Sequence, residues 1–251
     1  MKAPYYIISD NHFMMNNSES EINRRNKLFQ VFNTILERGE GTLIIGGDFF
    51  DFWFETNNVI PRGYESLIDA LKNLNNSGID IHYIAGNHDF WDFGYLNKTA
   101  NINFHKNDLL INNQNQKILV THGDGLLKND YGYRFMKKII RSNIFIQLFK
   151  LIPHEISFKF ANKLSKSSAA YNHHDTYVNT IINDVSEFAK KEWKENNIDI
   201  VLVGHYHQEK IITQKNKKLV FLGDWLEKFT VTLIDDKKLW QGDWKQFIEL
   251  S

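Results

Sequence analysis

The chain has 251 residues, 42% of them apolar and 24% charged, with 30 Lys and Arg balancing 30 Asp and Glu, a pI near 7.2 and no cysteine. The apolar share suffices for a core, the balanced charge argues against a nucleic-acid binder, and the missing thiols exclude a disulfide frame and thiolate chemistry. No apolar run approaches the roughly 18 residues that span a bilayer, and the first apolar stretch (Tyr5-Tyr6-Ile7-Ile8) is too short for a signal-peptide core, so a cytoplasmic protein forming one domain over 1–251 is expected.

Residues 5–9 read as a strand that ends in Asp10-Asn11-His12. Residues two apart on an extended chain point the same way, so Asp10 and His12 can share one target, and a carboxylate with an imidazole suits a divalent metal; a polar loop start is the alternative. A helix is expected over 23–37, with Leu28, Phe32, Ile35 and Leu36 on one face and Gly39 as its stop. Residues 42–45 form a second strand, which ends in Gly46-Gly47-Asp48. The aromatic run 49–54 reads as a loop wedged against the core, with stacking on a ring-shaped substrate as the other reading. Tyr64, Leu67, Ile68, Leu71 and Leu74 mark a helix stopped by Gly78, and a third strand over 79–85 runs into Gly86-Asn87-His88-Asp89. The order β-α-β-α-β implies a parallel sheet with right-handed crossovers, whose C-terminal strand ends are where such sheets bind ligands.

Residues 109–111 and 117–121 look like a hairpin whose second arm ends in His122-Gly123-Asp124. Most of 125–197 is helical by pattern, including one long amphipathic helix over 177–193. Within it, residues 131–166 carry eight Lys and Arg against the single Glu155, with Met136, Ile140, Ile144 and Leu148 interleaved. This is either a core-packed helix with a solvated basic side or a lid that meets an anionic, partly apolar partner. As a lid, Arg134, Lys137 and Arg141 would supply charge, and Ile140 and Ile144 would line the apolar face of one helix. Residues 198–203 form a buried strand ending in Gly204-His205-Tyr206-His207, and 210–213, 218–222 and 229–234 read as antiparallel strands of a second sheet.

Five strand ends therefore carry polar groups: Asp10 and His12, Asp48, Asn87 and His88, His122, and His205 with His207. Five of the ten histidines fall in these loops; His82, His105, His154, His173 and His174 read as surface or satisfied neutral side chains. Seven O and N ligands without sulfur exceed the needs of one tetrahedral zinc and suit two divalent ions that share a carboxylate. Such a pair clamps a phosphoryl group and lowers the pKa of water, so the reaction class is metal-assisted hydrolysis of a phosphoester or pyrophosphate. A metal-free scaffold would not need every ligand position filled.

Asp10-x-His12, Gly47-Asp48, Gly86-Asn87-His88-Asp89, His122-Gly123-Asp124 and Gly204-His205-x-His207 stand in the order found in the calcineurin-like metallophosphoesterases, which the chain resembles. The resemblance implies an α/β fold, a four-layer αββα sandwich with a helical lid inserted at about 126–197. It implies one ion held by Asp10, His12, Asp48 and His207, and a second held by Asp48, Asn87, His122 and His205. His88 would be the general acid or oxyanion stabiliser, oriented by Asp89. Within that superfamily the run 47–53, the stretch from His122 through Asp130 to Tyr133 and the helical insertion resemble the UDP-2,3-diacylglucosamine pyrophosphohydrolases of lipid A synthesis. That likeness implies Mn²⁺ as the ion and a UDP-linked acylated sugar as the substrate, released as UMP and a sugar phosphate. It also implies a lid at the anionic inner face of the inner membrane, substrate contact from Asp130 and nucleotide contacts from Ser168 and Asn172; no nucleic-acid or protein partner is expected. The better-studied branch carries Arg where this chain has His88, which leaves open an enzyme of the same chemistry on another phosphate ester, such as a nucleotide or phosphoprotein.

Overall fold

The computed structural model describes residues 1–55, 61–113, 116–151, 175–235 and 238–250. Strands β1 (Tyr5–Ile8), β2 (Thr42–Ile45), β3 (Asp80–Ile84) and β4 (Asn103–His105) run parallel, as the alternating order requires. β1 and β2 are buried at every position, because both faces of the sheet are covered. Tyr6, Ile8, Leu43, Ile45, Ile81 and Tyr83 cluster with the apolar stripes of α1 (Glu19–Arg38) and α2 (Glu65–Asn76). Tyr5, Ile7, Ile44 and Ile84 pack on the second sheet.

That second sheet has the order β5 (Leu109–Asn112), β6 (Lys117–Thr121), β7 (Ile200–Val203), β9 (Lys217–Leu222), β8 (Glu209–Gln214). β6, β7 and β9 are parallel, and the two edge strands are antiparallel to their neighbours. Ile118, Val120, Ile200, Leu202, Val220 and Leu222 face the first sheet. Leu119, Val201, Val203, Leu219 and Phe221 face Ile181, Val185 and Ala189 of α6 (Asp175–Glu195). The result is the expected four layers, helix on sheet on sheet on helix.

Several local expectations need correction. α1 begins at Glu19 rather than 23, because the Ser18 hydroxyl accepts the Glu21 N–H and caps the helix, which ends as expected at Gly39 in the left-handed region. β10 (Thr230–Ile234) joins the first sheet, antiparallel to β1, and carries β11 (Leu239–Asp243) outside it. Its alternating pattern suits the edge of either sheet, and the pairing is settled by tertiary packing rather than by local sequence. α3 (Tyr95–Ala100), β4, β11 and α7 (Trp244–Ile248) were not foreseen.

The described part of the basic apolar stretch, 131–151, forms two helices, α4 (Tyr131–Ile140) and α5 (Asn143–Lys150), broken where Ser142 caps the Phe145 N–H. Met136, Ile140, Ile144 and Leu148 therefore do not share one helix face. Ile140 is half-buried beside Phe52, Phe54 and Trp91, whereas Ile144 is 76% exposed. α5 anchors through Ile146 and Phe149, with Phe54 and Phe149 ring centroids 4.5 Å apart. The aromatic run is thus divided: Phe49, Phe50 and Trp53 sit in the main core, while Phe52 and Phe54 lie beneath the lid. No described helix is long and apolar enough to cross a membrane.

Candidate metal centre

Nine described residues other than glycine have positive φ, and five of them are Asp10 (52°), His12 (45°), Asp48 (53°), His205 (65°) and His207 (52°). A left-handed backbone is unfavourable for side chains of this kind, and strain of this sort collects at functional sites. It turns each side chain off the end of its strand and into one space. Neighbouring loops hold the conformation: Asp10 N–H donates to Gly47 O at 3.0 Å, His12 N–H to Asp48 O at 2.8 Å, and Trp225 N–H to Asp10 O at 3.1 Å. Gly86 and Gly204 are required here, since a Cβ on Gly86 would run into Asp48 Oδ1 and one on Gly204 into the Asp10 carboxylate and Ser9 Oγ.

The side chains fall into overlapping groups. Asp10, His12 and His207 bring their ligand atoms together within 4.8 Å, as do Asp48, His122 and His205, and also His12, Asp48 and His88. Asp48 joins them. Its Oδ2 lies 3.7 Å from His12 Nε2 and 3.3 Å from His122 Nε2. His122 Nε2 is also 3.1 Å from Asn87 Oδ1, and His207 Nε2 is 3.7 Å from Asp10 Oδ1. All seven sequence-predicted ligands thus converge. His122 Nδ1 faces Gly46 O at 3.0 Å, the hydrogen bond that fixes an imidazole for ligation through Nε2. His12 Nε2 is buried without a hydrogen-bond partner among the described residues, an orphan nitrogen that a cation would satisfy.

The electrostatics point the same way. Burial alone would pull His122 down, but Asp48 and Asp10 outweigh it and lift its pKa to about 10. His205, by contrast, is pushed down to about 3 by burial and by the charge of His122. Burial works against the Asp48 anion, yet His122 and His88 hold it well below the usual carboxylate range. The carboxylates draw positive charge into this space, and a divalent ion would displace the proton. The donor set of N and O atoms fits such ions.

His88 and Asp89 differ from expectation in one respect. His88 Nδ1 faces Asp51 O at 2.7 Å, and its N–H donates to Asp48 Oδ1 at 2.9 Å, which leaves Nε2 free for the site. Asp89 does not orient His88. Its carboxylate accepts from Phe49 N–H at 2.8 Å, Gly86 N–H at 2.7 Å and the Tyr83 hydroxyl, so it shapes the loop instead. Asp51, not singled out in the sequence, is the residue whose carbonyl sets the His88 ring.

The lid meets this centre through a buried carboxylate. Asp124 accepts from Tyr133 OH at 2.9 Å, Lys137 Nζ at 2.9 Å and Arg141 Nη2 at 3.0 Å. Arg141 also reaches Gly86 O at 2.9 Å, and Arg134 donates to Gly125 O, Leu127 O and Lys128 O. Arg134, Lys137 and Arg141 therefore face inward, which corrects the reading of them as a solvated or membrane-facing surface, while Lys138 stays exposed. The apolar side of α4, with Phe135 69% and Ile139 45% exposed, faces out. Asp130 stands at the N-terminus of α4 without a side-chain capping bond. Ser168 and Asn172 lie outside the described residues, as do His154, His173 and His174. His82 and His105 are satisfied as expected, their rings 2.8 Å apart from Nδ1 to Nε2.

Asn11 is fully buried, and neither polar atom of its side chain has a partner among the described residues. An unsatisfied buried amide costs on the order of 1–3 kcal/mol. Asn11→Leu, which keeps the branched shape and the number of heavy atoms, is expected to raise stability by about 1 kcal/mol, a gain of about 2–4 °C in melting temperature, with metal content unchanged. Calorimetric melting checks it; an unchanged or lower Tm would give the amide a role in the folded chain.

The family model for calcineurin-like phosphoesterases matches residues 3–209. The chain belongs to that family. It is a metal-dependent phosphoesterase of the calcineurin-like kind. Among its relatives is the UDP-2,3-diacylglucosamine hydrolase of Porphyromonas gingivalis, 24% identical over 221 residues that make up 82% of this chain and 84% of that protein. The protein of the same name from Proteus mirabilis is 30% identical over 172 residues, 68% of this chain and 70% of its own. That of Haemophilus influenzae is 27% identical over 214 residues, 84% of this phosphoesterase and 85% of its own.

Proposed function

We propose that this phosphoesterase, working as one domain, hydrolyses the pyrophosphate bond of UDP-2,3-diacylglucosamine to UMP and 2,3-diacylglucosamine 1-phosphate, a step of lipid A synthesis on the inner face of the inner membrane. The observation that carries the reading is the reversed amphipathic lid. α4 turns Lys137 and Arg141 toward the centre and leaves Phe135, Met136 and Ile139 exposed, and α5 adds Ile144 and Leu148. An enzyme for a small polar ester has no use for so much uncovered apolar surface beside its site. A substrate with two acyl chains, or the bilayer that holds it, covers such a face. The names of the relatives support the same substrate.

In this reading Asp10, His12, Asp48 and His207 hold one ion, and Asp48, Asn87, His122 and His205 hold the other. Two divalent ions, Mn²⁺ by family likeness, would supply charge to the phosphoryl oxygens and a water of lowered pKa. His88, fixed through Nδ1, presents Nε2 as a donor to the leaving oxygen or the developing charge. Phe52, Phe54 and Trp91 pack with Ile146 and Phe149 and seat the lid on the domain.

UDP-2,3-diacylglucosamine is expected to be cleaved at least about 10²-fold faster, by kcat/KM, than deacylated UDP-glucosamine. That ratio needs about 2.7 kcal/mol of extra transition-state binding, equal to only a few buried methylenes at about 0.8 kcal/mol each. Ile139→Asp with Ile144→Asp should erase most of the preference and leave hydrolysis of bis(p-nitrophenyl) phosphate intact, because both residues face outward. Equal rates on the two UDP-sugars would instead leave a phosphoesterase of unacylated esters.

A further inference from the structure

The strained ligand loops run beyond the named strands, and several of their carbonyl groups are satisfied by side chains. Arg24, on α1, lies behind the first group of ligands with only 12% of its side chain exposed. Its guanidinium donates to Asn11 O, to His12 O at 3.4 Å and to Trp225 O at 3.3 Å. Glu21 holds the remaining edge at 2.7 Å, and the Phe13 ring supports it at 5.2 Å. Trp225 closes the circuit: its N–H donates to Asp10 O, and its indole Nε1 to Arg24 O at 3.2 Å. The third ligand of the group has a similar backing. His207, also left-handed, gives its carbonyl to Lys228 Nζ at 2.7 Å, and Lys228 is fixed by Asp224 at 2.8 Å.

We infer that Arg24 and Lys228 are positioning residues for one ion site only, the one built from Asp10, His12 and His207, and act through the backbone carbonyls of His12 and His207 and of Asn11 and Trp225 beside them. Neither cation faces the ion; each is spent on a carbonyl behind it. The second site is backed differently, through the Gly46 carbonyl on His122 and the Arg141 bond to Gly86. The two sites therefore respond separately to changes behind them. Arg24 collects three carbonyls with one planar fork, which a lysine, a single point charge, cannot do.

The inference rests on the two-ion reading of the centre and is tested by Mn²⁺ titration of the metal-stripped chain, followed by calorimetry and by electron paramagnetic resonance. Wild type is expected to bind two Mn²⁺ with the signal of a coupled pair. Arg24→Lys and Lys228→Met should each lose about 10- to 100-fold in affinity for one ion, the range seen when partners of metal ligands are removed, and keep the other within about threefold. At one equivalent of Mn²⁺ both variants should show an isolated ion. Arg24→Lys keeps the charge, so a loss there marks the fork geometry. Wild-type affinity at both sites in the two variants would overturn the inference. So would an equal loss at both sites with a lowered melting temperature of the metal-free chain, the sign of a merely structural role. A wild type that does not bind two Mn²⁺ fails the two-ion reading itself, a result visible before any variant is made.

Discussion

Asp48→Ala is expected to bind neither ion and to lose at least about 10³-fold in turnover. The side chain sits where the groups overlap, with Oδ2 3.3 Å from His122 Nε2 and 3.7 Å from His12 Nε2. Its other oxygen accepts the His88 N–H at 2.9 Å, so the same residue also shapes the loop that carries Asn87. Removing it takes away the charge that opposes both ions and leaves His122 without its main counter-charge. Stabilisation of phosphoryl charge by ions amounts to several kcal/mol, and each 1.36 kcal/mol is about tenfold in rate. His207→Ala is the contrast. It reaches only the first group, so it should weaken one ion and spare the other. Elemental analysis of the purified variants separates the two results, and full metal content in Asp48→Ala would sink the shared-carboxylate reading.

His88→Ala should cost about 10²- to 10⁴-fold where the leaving group is a poor one, the usual contribution of a positioned acid. The expected loss depends on the substrate. A sugar phosphate or p-nitrophenolate departs with little help, because it is weakly basic, whereas an alkoxide must be protonated. The variant should therefore be hurt less on UDP-2,3-diacylglucosamine and bis(p-nitrophenyl) phosphate than on an alkyl phosphodiester. The ring geometry allows this role, since Asp51 O takes Nδ1 and His12 packs edge-on at 4.7 Å between centroids. Equal losses on all three esters would move His88 from leaving-group protonation to stabilisation of charge common to them all.

The parallel half of the first sheet was legible because its strands are continuous apolar runs that each stop at a polar loop, and a buried parallel strand leaves that signature. The ligand set was legible for the same reason: the strand ends place Asp10, Asp48, Asn87, His122 and His205 at facing sheet edges whatever the details between. The partner of β10 was not legible, since an alternating edge strand fits more than one neighbour. The role of Asp89 was misread because adjacency to His88 in the chain says nothing about which way a buried carboxylate turns, and three donors from other elements claimed it. The lid was half legible. Composition showed both charge and grease in 131–166, but the inward turn of Lys137 and Arg141 follows from Asp124 and that of Arg134 from the carbonyls of 125–128, partners outside the stretch, while the helix break is made by the Ser142 cap. Left-handed backbone at five ligands has only a weak sequence signal, because Asp and His tolerate positive φ better than most side chains but adopt it in few of their positions.

In the proposed reaction water attacks an acylated UDP-sugar at the phosphorus next to uridine. Turnover of UDP-2,3-diacylglucosamine in ¹⁸O water, followed by mass spectrometry of both products, tests it directly. The account predicts UMP carrying one ¹⁸O atom and unlabelled 2,3-diacylglucosamine 1-phosphate, with no turnover after chelation and recovery on adding Mn²⁺. Label in the lipid phosphate, or no cleavage by metal-loaded protein that still hydrolyses bis(p-nitrophenyl) phosphate, would contradict it.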